Sequence, residues 1–320
     1  MSNLSITTNI EKPKISRINE INKLLSQGEN IISYLTDGHS KMTSVEDEMI
    51  SYDLRAGKDL AKYLKDPSMY KSVAEKIAHY IIETGCNSGK LFECGSGEGI
   101  LLSEICDRDD CKFLWARGCD ISWSRTAYAK KTSLLKEKRN SIDLDFIVGN
   151  FFHLPLKDNS IDVLYTMQGI YGMGGNEEIL LKELYRVVSG YLILIEPCYE
   201  LADSISKERM ERLGYVKNLR STAEKLGYEI VKYEKFGLDS NPLNPAAVLI
   251  IKKNVVNENE DALCCPYTYS DLIQIGNVYY CEESKLSYPI LNGVACITRE
   301  NAVVTSQIKR IHEIDKNQFL

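Results

Sequence analysis

The chain has 320 residues, of which 44% are hydrophobic and 26% are charged, and its formal net charge is −6. This balance is typical of a globular protein with one large domain, or a medium domain with an appendage. The negative net charge excludes a protein whose entire surface attracts polyanions. No apolar run is long enough to predict a transmembrane helix.

The cellular compartment is predicted from the first residues and from the cysteines. The start, "MSNLSITTNIEKPKIS", lacks the apolar core of a signal peptide. The ten cysteines lack the dense spacing of a disulfide framework, and several lie in apolar runs. We therefore expect a reduced, cytoplasmic environment in which they are small buried hydrophobic residues.

Residues 1–85 are predicted to form a helical cap or lid. The stretch "INEINKLLSQGENIISYL" has Ile and Leu at roughly helical spacing. Two amphipathic helices follow, with a break at Pro67 and an end at Gly85.

Residues 86–253 alternate between short apolar runs and amphipathic stretches, which predicts an α/β fold. The runs "KLFECG", "KFLWARGCDIS", "LDFIVGN", "SIDVLYTMQGIY" and "GYLILIEP" read as strands, and helical patterns lie between most of them. This order predicts crossovers and a doubly wound, mostly parallel sheet. The closing strands "YEIVKYEKF" and "AAVLIIKK" have no helix between them, so one should pair antiparallel.

The stretch "FECGSGEG" places three glycines after the first strand. Gly95 would allow a sharp turn, Gly97 would let the backbone approach a ligand, and Gly99 would let the next helix pack closely. The pattern is one residue short of a dinucleotide fingerprint, and it lacks the Lys-Ser/Thr ending of a phosphate loop. Glu93 and Glu98 would repel a pyrophosphate, whereas the sulfonium and ammonium groups of S-adenosylmethionine suit Glu93. A plain strand-to-helix turn is the alternative.

The ends of the next two strands carry further candidates. Asp120, followed by Ile121, could accept hydrogen bonds from ribose hydroxyls, although an Asp that only caps the next helix is the alternative. Asn150 could meet the exocyclic amine of adenine, and the ring of Phe151 could meet the base face.

Residues 90–253 resemble the class I, seven-stranded, Rossmann-like methyltransferases that use S-adenosylmethionine. The resemblance rests on the order and spacing of "FECGSGEG", "GCDIS", "VGNFFHLPLKDNSIDVLYT" and "ELYRVVSGYLILIEP". It implies the fold, the cofactor and methyl transfer by in-line displacement, with Glu93, Cys94 and the glycines beside the cofactor. It does not imply an acceptor. Asn150 departs from the family, since many members have Asp there.

The acceptor and the lid are predicted from residues around this core. Gln168 and Tyr171 follow the fourth strand, where an acceptor should approach, and Gln168 also lies within reach of the cofactor. His153 is a candidate base, with a structural or merely exposed histidine as the alternative.

A lid over the cofactor is expected from "SYDLRAGKDL". Tyr52, Arg55 and Gly57 would form it, with Arg55 on the methionyl carboxylate. A simple helix entry is the alternative.

The C-terminal part divides into an acidic linker, residues 254–262, and a small β-rich module with a polar tail, residues 263–320. The module resembles zinc-ribbon-like activating subunits of RNA and protein methyltransferases. Thr268 and Ser284 stand where the C-x-x-C pairs of Cys265 and Cys281 would need a second thiol, so we expect no metal. The module could stabilise the catalytic domain, form a homodimer, or shape the acceptor site.

Three functions follow from these observations. The leading one is a methyltransferase for a small molecule or a glycan precursor, with no nucleic-acid partner and no membrane span. An RNA or protein methyltransferase with a fused activator-like module is the alternative, and it would need a basic face, for example from Lys130, Lys131, Lys136, Lys138 and Arg139. A non-catalytic cofactor-binding protein is the third.

Overall fold

The computed structural model describes residues 17–29, 31–35, 44–136, 142–238, 241–257 and 262–313. The first 85 residues contain helices in the described parts, as predicted: α1 (Ile18–Ser26), α2 (Ile31–Leu35), α3 (Val45–Leu54), α4 (Lys58–Lys65) and α5 (Ser68–Glu83). The break at Pro67 is confirmed. The helix expected before it is split in two, because Gly57 adopts a φ of +91° that a helix interior does not allow.

The strands β1 to β7 form the central sheet: β1 (Ser88–Cys94), β2 (Lys112–Asp120), β3 (Asp143–Val148), β4 (Ile161–Met167), β5 (Val188–Pro197), β6 (Glu229–Lys235) and β7 (Ala246–Lys252). Their order is β6-β7-β5-β4-β1-β2-β3. The first five strands pair in parallel, and β7 pairs antiparallel with both β5 and β6. The predicted mostly parallel, seven-stranded fold and its antiparallel closing strand are confirmed.

Helices in the crossovers cover both faces of this sheet: α6 (Ile100–Cys106), α7 (Trp123–Ser133), α8 (Glu177–Val187), α9 (Ser204–Arg212) and α10 (Leu219–Lys225). Successive side chains of β1 lie on opposite faces of the sheet, because Leu91 and Phe92 belong to different buried clusters. The single helix expected after β5 is two helices, because Gly214 and Asn218 both adopt positive φ between them.

The C-terminal segment continues the same sheet beyond β3. Its elements are β8 (Leu272–Ile275), β9 (Val278–Cys281), β10 (Leu286–Leu291), β11 (Val294–Cys296), β12 (Val303–Val304) and α11 (Ile308–Glu313). Strand β11 pairs in parallel with β3, and the Ile297 N–H donates to Val148 O at 3.0 Å. Side chains of the segment, including Cys281 and Tyr288, share one buried cluster with Phe92. The C-terminal segment is therefore built onto the central sheet.

The region predicted as a linker, residues 254–262, is described only at its ends. Val255 donates its N–H to Ser189 O at 3.1 Å, and Ala262 is buried and accepts from the Lys157 N–H at 2.9 Å. Both ends are thus tied to the sheet domain. Within the described ranges, no helix is long and apolar enough to cross a bilayer.

Candidate active site

A cavity of about 520 Å³ lies between the N-terminal helices and the carboxyl ends of β1, β2 and β4. This edge is where an open α/β sheet is expected to hold a ligand. Most of the predicted site residues line the cavity: Tyr52, Arg55, Glu93, Gly95, Gly97, Asp120, Ile121, Asn150, Phe151, Gln168 and Tyr171.

Three other predicted cofactor residues lie just outside the lining. Cys94 is fully buried in the core beneath the turn. A Cβ at Gly99 would lie 2.7 Å from both Ala129 and Phe146, so this glycine allows close packing, as predicted. Gly57 contacts the turn through its backbone, as described below.

The glycine turn is held by the backbone of the neighbouring strand. The N–H groups of Gly95 and Ser96 both donate to Cys119 O at 2.9 Å. Gly95 has a φ of +78°, and a Cβ there would lie 2.7 Å from the Gly169 Cα. The close approach of the β1 and β4 loops therefore requires glycine at position 95.

Glu93 is a buried carboxyl group on the cavity wall. It is 2% exposed, and burial raises its pKa to about 8. Its Oε2 has no hydrogen-bond partner among the residues that the structure describes. A buried acid of this kind would gain from a cationic ligand, as the sequence predicts for Glu93.

Asp120 is held at the end of β2 by backbone donors. Its Oδ2 accepts from the Gly97 N–H at 3.1 Å, and its Oδ1 accepts from the Ser122 N–H at 2.9 Å. Burial raises its pKa, and the charge of Arg125 opposes that shift. Ser122 itself caps α7, so the Asp both supports a helix start and faces the cavity.

Arg125 is a cavity residue that sequence reasoning missed. Its Nη2 lies 2.8 Å from Asp59 Oδ2, its Nη1 lies 3.7 Å from Asp120 Oδ2, and its guanidinium lies 5.4 Å from the Tyr52 ring centroid. It thus links the lid to the β2 end. No local signal marks it, because two of these partners lie more than 60 residues earlier in the chain.

Two carboxylates dock the lid on the sheet domain. Glu98 accepts from the N–H groups of Gly57 at 2.8 Å and of Leu60, which are free backbone donors at the start of α4. Asp53 accepts from the Ser124 N–H at 2.8 Å and from the Ser122 hydroxyl at 2.9 Å, at the start of α7. Both Glu93 and Glu98 line the cavity, and Glu98 also binds the lid backbone.

Arg55 lies at the end of α3, on the cavity side. Its Nε donates to Ser51 O at 2.8 Å, and its Nη2 donates to the Ser51 hydroxyl at 2.7 Å. These two contacts fix the guanidinium while other N–H donors stay available. It is suited to a carboxylate, as predicted.

The loop after β4 combines backbone strain with aromatic contacts. Gln168 has a φ of +52°, a left-handed conformation that is rare for this residue and is often found at functional sites. Tyr171 lies beside Tyr52 of the lid in the cavity wall and meets the Tyr215 ring edge-on, with 4.9 Å between centroids. Burial raises the pKa of Tyr171.

Glu196 at the end of β5 supports this loop and was also missed. Its Oε1 accepts from the Thr166 hydroxyl at 2.7 Å and from the Gly169 N–H at 3.0 Å. Burial raises its pKa to about 7. A signal existed, since an acid at the carboxyl end of a buried parallel strand follows the rule that identified Asp120.

Asn150 and Phe151 form the wall at the end of β3. Asn150 Oδ1 accepts from the Phe152 N–H at 3.0 Å, and its Nδ2 donates to Glu300 Oε1 at 3.2 Å. The Phe151 ring lies beneath Gly95, where a Cβ would come 3.4 Å from it. Both side chains remain where an adenine was expected.

His153 does not line the cavity. Its Nε2 lies 3.0 Å from Arg299 Nη1 of the C-terminal segment, and burial together with the Arg299 charge lowers its pKa. A ring that lies outside the cavity lining and whose Nε2 faces a guanidinium is badly placed to take a proton from an acceptor. This placement supports the structural alternative and does not support the predicted base.

The side chains at the two positions where a zinc ribbon would have its C-x-x-C pairs lie close together. Cys265 Sγ lies 3.5 Å from Ser284 Oγ, and Cys281 Sγ lies 3.6 Å from Thr268 Oγ1. Hydrogen bonds, first from Ser270, lower the pKa of Cys281 to about 7 against the effect of burial. In the described part of the chain, no group of three or more His, Cys, Asp or Glu side chains is placed to hold a metal ion.

The expected basic face is partly neutralised. Lys130 pairs with Asp145 at 2.5 Å, and Lys136 pairs with Glu104 at 2.6 Å. Residues 138 and 139, named with them, lie outside the described residues.

Comparison with known proteins finds a family model that matches the central part of the chain. Residues 92–194 match the family model of a methyltransferase domain. A curated relative, a sterol 24-C-methyltransferase of Pneumocystis carinii, is 22% identical over 203 residues, which cover 57% of this chain and 51% of the relative. The chain thus spans about half the length of that protein.

Solved structures with a similar fold include two described as S-adenosylmethionine-dependent methyltransferases. A putative enzyme of Methanococcus maripaludis is 19% identical, with a TM-score of 0.45, over 65% of this chain and 96% of that one. A Leishmania major protein is 14% identical, with a TM-score of 0.49, over 63% and 80% of the two chains. Both TM-scores lie below 0.5, so the predicted methyltransferase domain is supported by the family model and not by these structures.

Proposed function

We propose that this chain, whose residues 92–194 form a methyltransferase domain, is an S-adenosylmethionine-dependent methyltransferase that acts on a small molecule or a glycan precursor. The observation that carries the proposal is Glu93, a buried carboxyl group that lines the cavity beside the glycine turn and whose Oε2 has no hydrogen-bond partner among the described residues. A cationic ligand without phosphates suits this wall, whereas a pyrophosphate would meet two acids.

In this proposal, different cavity residues contact different parts of such a ligand. Glu93 takes the ammonium group, and Arg55 takes the carboxylate of the methionyl part. Asp120 accepts from the ribose hydroxyls, while Asn150 and Phe151 meet the adenine. The fit rests on the Glu93 oxygen that lacks a partner among the described residues and on the cavity that Gly95 and Gly97 line at the turn.

The chain itself aligns the reactants and excludes water. When bound, the cofactor supplies the methyl group and a good leaving group. Tyr52 of the lid and Tyr171 of the β4 loop are neighbours in the cavity wall, and Gln168, with its strained backbone, lines the same cavity. Because the pKa of Tyr171 is raised, its hydroxyl keeps its proton and orients the acceptor by hydrogen bonds.

The cavity wall favours a small acceptor over a polymer. Besides the polar groups, it contains the apolar side chains of Met69, Val73, Met167 and Met173. The lid is docked over this space through Glu98 and Asp53. A concave, partly apolar cavity is typical of small-molecule sites.

Residues 263–303 act, in this proposal, as an activator-like module in the same chain. The pairing of β11 with the free edge of β3 supports it. The convergence of Cys265 and Cys281 with the two hydroxyl residues also supports the zinc-ribbon-like descent of the segment.

Titration calorimetry with S-adenosylmethionine tests the proposal. We expect wild-type protein to bind and Gly97→Val to bind roughly 10- to 100-fold more weakly, because position 97 needs a positive φ of +52° and faces Arg125 at 3.4 Å. Gly276→Val is the matched control: its φ is +56°, but it lies in a surface turn with nothing within 4 Å.

Unchanged affinity in Gly97→Val would contradict this placement of the ligand. A salt-dependent mobility shift on RNA would instead support the polymer alternative.

A further inference from the structure

The short turn Arg299–Asn301, which follows β11, lies against the loop that follows β3. Arg299 Nε donates to Pro266 O at 2.9 Å, which ties the turn to the C-terminal segment, and its Nη1 reaches His153 of the β3 loop. The next residue, Glu300, accepts from the Asn150 Nδ2 at 3.2 Å. The C-terminal segment therefore touches a side chain that lines the cavity.

The amide of Asn150 is oriented by two partners on opposite ends. The Phe152 N–H fixes Oδ1, and the Glu300 carboxylate fixes Nδ2. An amide has two acceptor lone pairs and two N–H donors, so each end keeps one free. With both partners in place the side chain cannot exchange its ends, and its remaining acceptor points in one fixed direction.

We infer that Glu300 is a positioning residue that fixes the Asn150 amide and thereby sets the preference of the cavity for a 6-aminopurine over a 6-oxopurine base. The inference rests on the proposed function, since it places the base of the nucleoside against Asn150. A fixed amide oxygen accepts from an exocyclic amine and repels a ring carbonyl. Without Glu300 the amide can turn its N–H end to the base, and the discrimination falls.

The preference is measured as the ratio of two dissociation constants, for S-adenosylhomocysteine and S-inosylhomocysteine, by calorimetry on the full chain. Wild-type protein should prefer the adenosyl compound, and Glu300→Ala should lower that preference about three- to tenfold, the value of one typical hydrogen bond. Glu300→Gln keeps an acceptor oxygen and should restore most of the preference.

Glu283→Ala is the matched control, because it removes an exposed carboxylate from the same segment, between β9 and β10. A general loss of stability, or the loss of a negative charge near a cationic ligand, weakens both compounds alike and leaves the ratio unchanged. The ratio therefore separates positioning from a merely structural role.

An unchanged ratio in Glu300→Ala, with tight wild-type binding of the adenosyl compound, would overturn this inference and leave the proposed function standing. Failure of the wild-type chain to bind either compound would overturn both.

Discussion

Glu93 is the residue whose chemistry depends most on its surroundings. Its pKa of about 8 means that the carboxyl group keeps its proton in the ligand-free protein at neutral pH. Because this pKa is raised above the ordinary 4.5, its contribution to stability is full below that value and is lost as pH rises through about 8. A cation in the cavity reverses the preference and favours the ionised form.

We predict that S-adenosylmethionine binding at pH 7 releases a proton and that affinity rises between pH 6 and pH 8. Calorimetry in two buffers of different ionisation enthalpy measures the release directly. Glu93→Gln should abolish it and weaken binding, while Glu178→Gln on the surface should change neither. Binding without proton release in the wild-type protein would show that Glu93 does not meet the cation.

Residues at strand ends could be predicted because the rule that locates them is local. Glu93 and Asp120 follow apolar runs and precede helical patterns, which is enough to place them at one edge of a parallel sheet. Arg125 could not be predicted, since its role depends on Asp59 and Tyr52 from the lid.

At the scale of elements, one contact at the start of helix α4 helps to hold the lid on the sheet domain. The carboxylate of Glu98 satisfies N–H groups at the beginning of α4, which has no side-chain cap of its own. The sequence predicted the helices of the lid but not their break at Gly57, because the apolar spacing continues across the turn. The contact with Glu98 joins residues about 40 positions apart in the chain, so no local sequence pattern predicts it.

Glu98→Ala should loosen the lid and raise the KM for S-adenosylmethionine about three- to tenfold, since a helix cap contributes about 1 kcal/mol. Steady-state methyl transfer and limited proteolysis near Gly57 would measure both effects. Asp203→Ala is the control, because Asp203 caps α9 by accepting from the Ser206 N–H at 2.8 Å, away from the cavity. If Glu98→Ala and Asp203→Ala lost the same stability and had the same KM, the contact of Glu98 would have no role in lid closure.

On the scale of the whole molecule, one buried cluster runs through the sheet domain and the C-terminal segment. It contains Phe92 and Leu164 of the central strands together with Cys281 and Tyr288. The mostly parallel sheet of the domain could be predicted from the alternation of elements along the chain. The pairing of β11 with β3 could not, because the paired residues lie almost 150 positions apart.

Tyr288→Ala should therefore lower the stability of the entire chain by about 3–5 kcal/mol, as expected when a fully buried aromatic ring is removed. Scanning calorimetry should show one transition that moves to lower temperature. Tyr288→Phe removes only the hydroxyl, which lies 3.1 Å from Cys265 Sγ, and should cost about 1 kcal/mol. Two transitions, of which only one moves, would mean that the segment folds by itself.

The parallel pairing of β11 with β3 has a consequence for the relative amounts of the C-terminal segment and the sheet domain. A separately encoded subunit leaves its docking edge bare whenever its supply falls or the sample is diluted. Here the covering strand is tethered to the edge that it covers, at an effective concentration on the order of millimolar. The stoichiometry of the segment and the sheet is fixed at one to one by the gene itself, so the edge of β3 should stay covered at any level of expression or dilution.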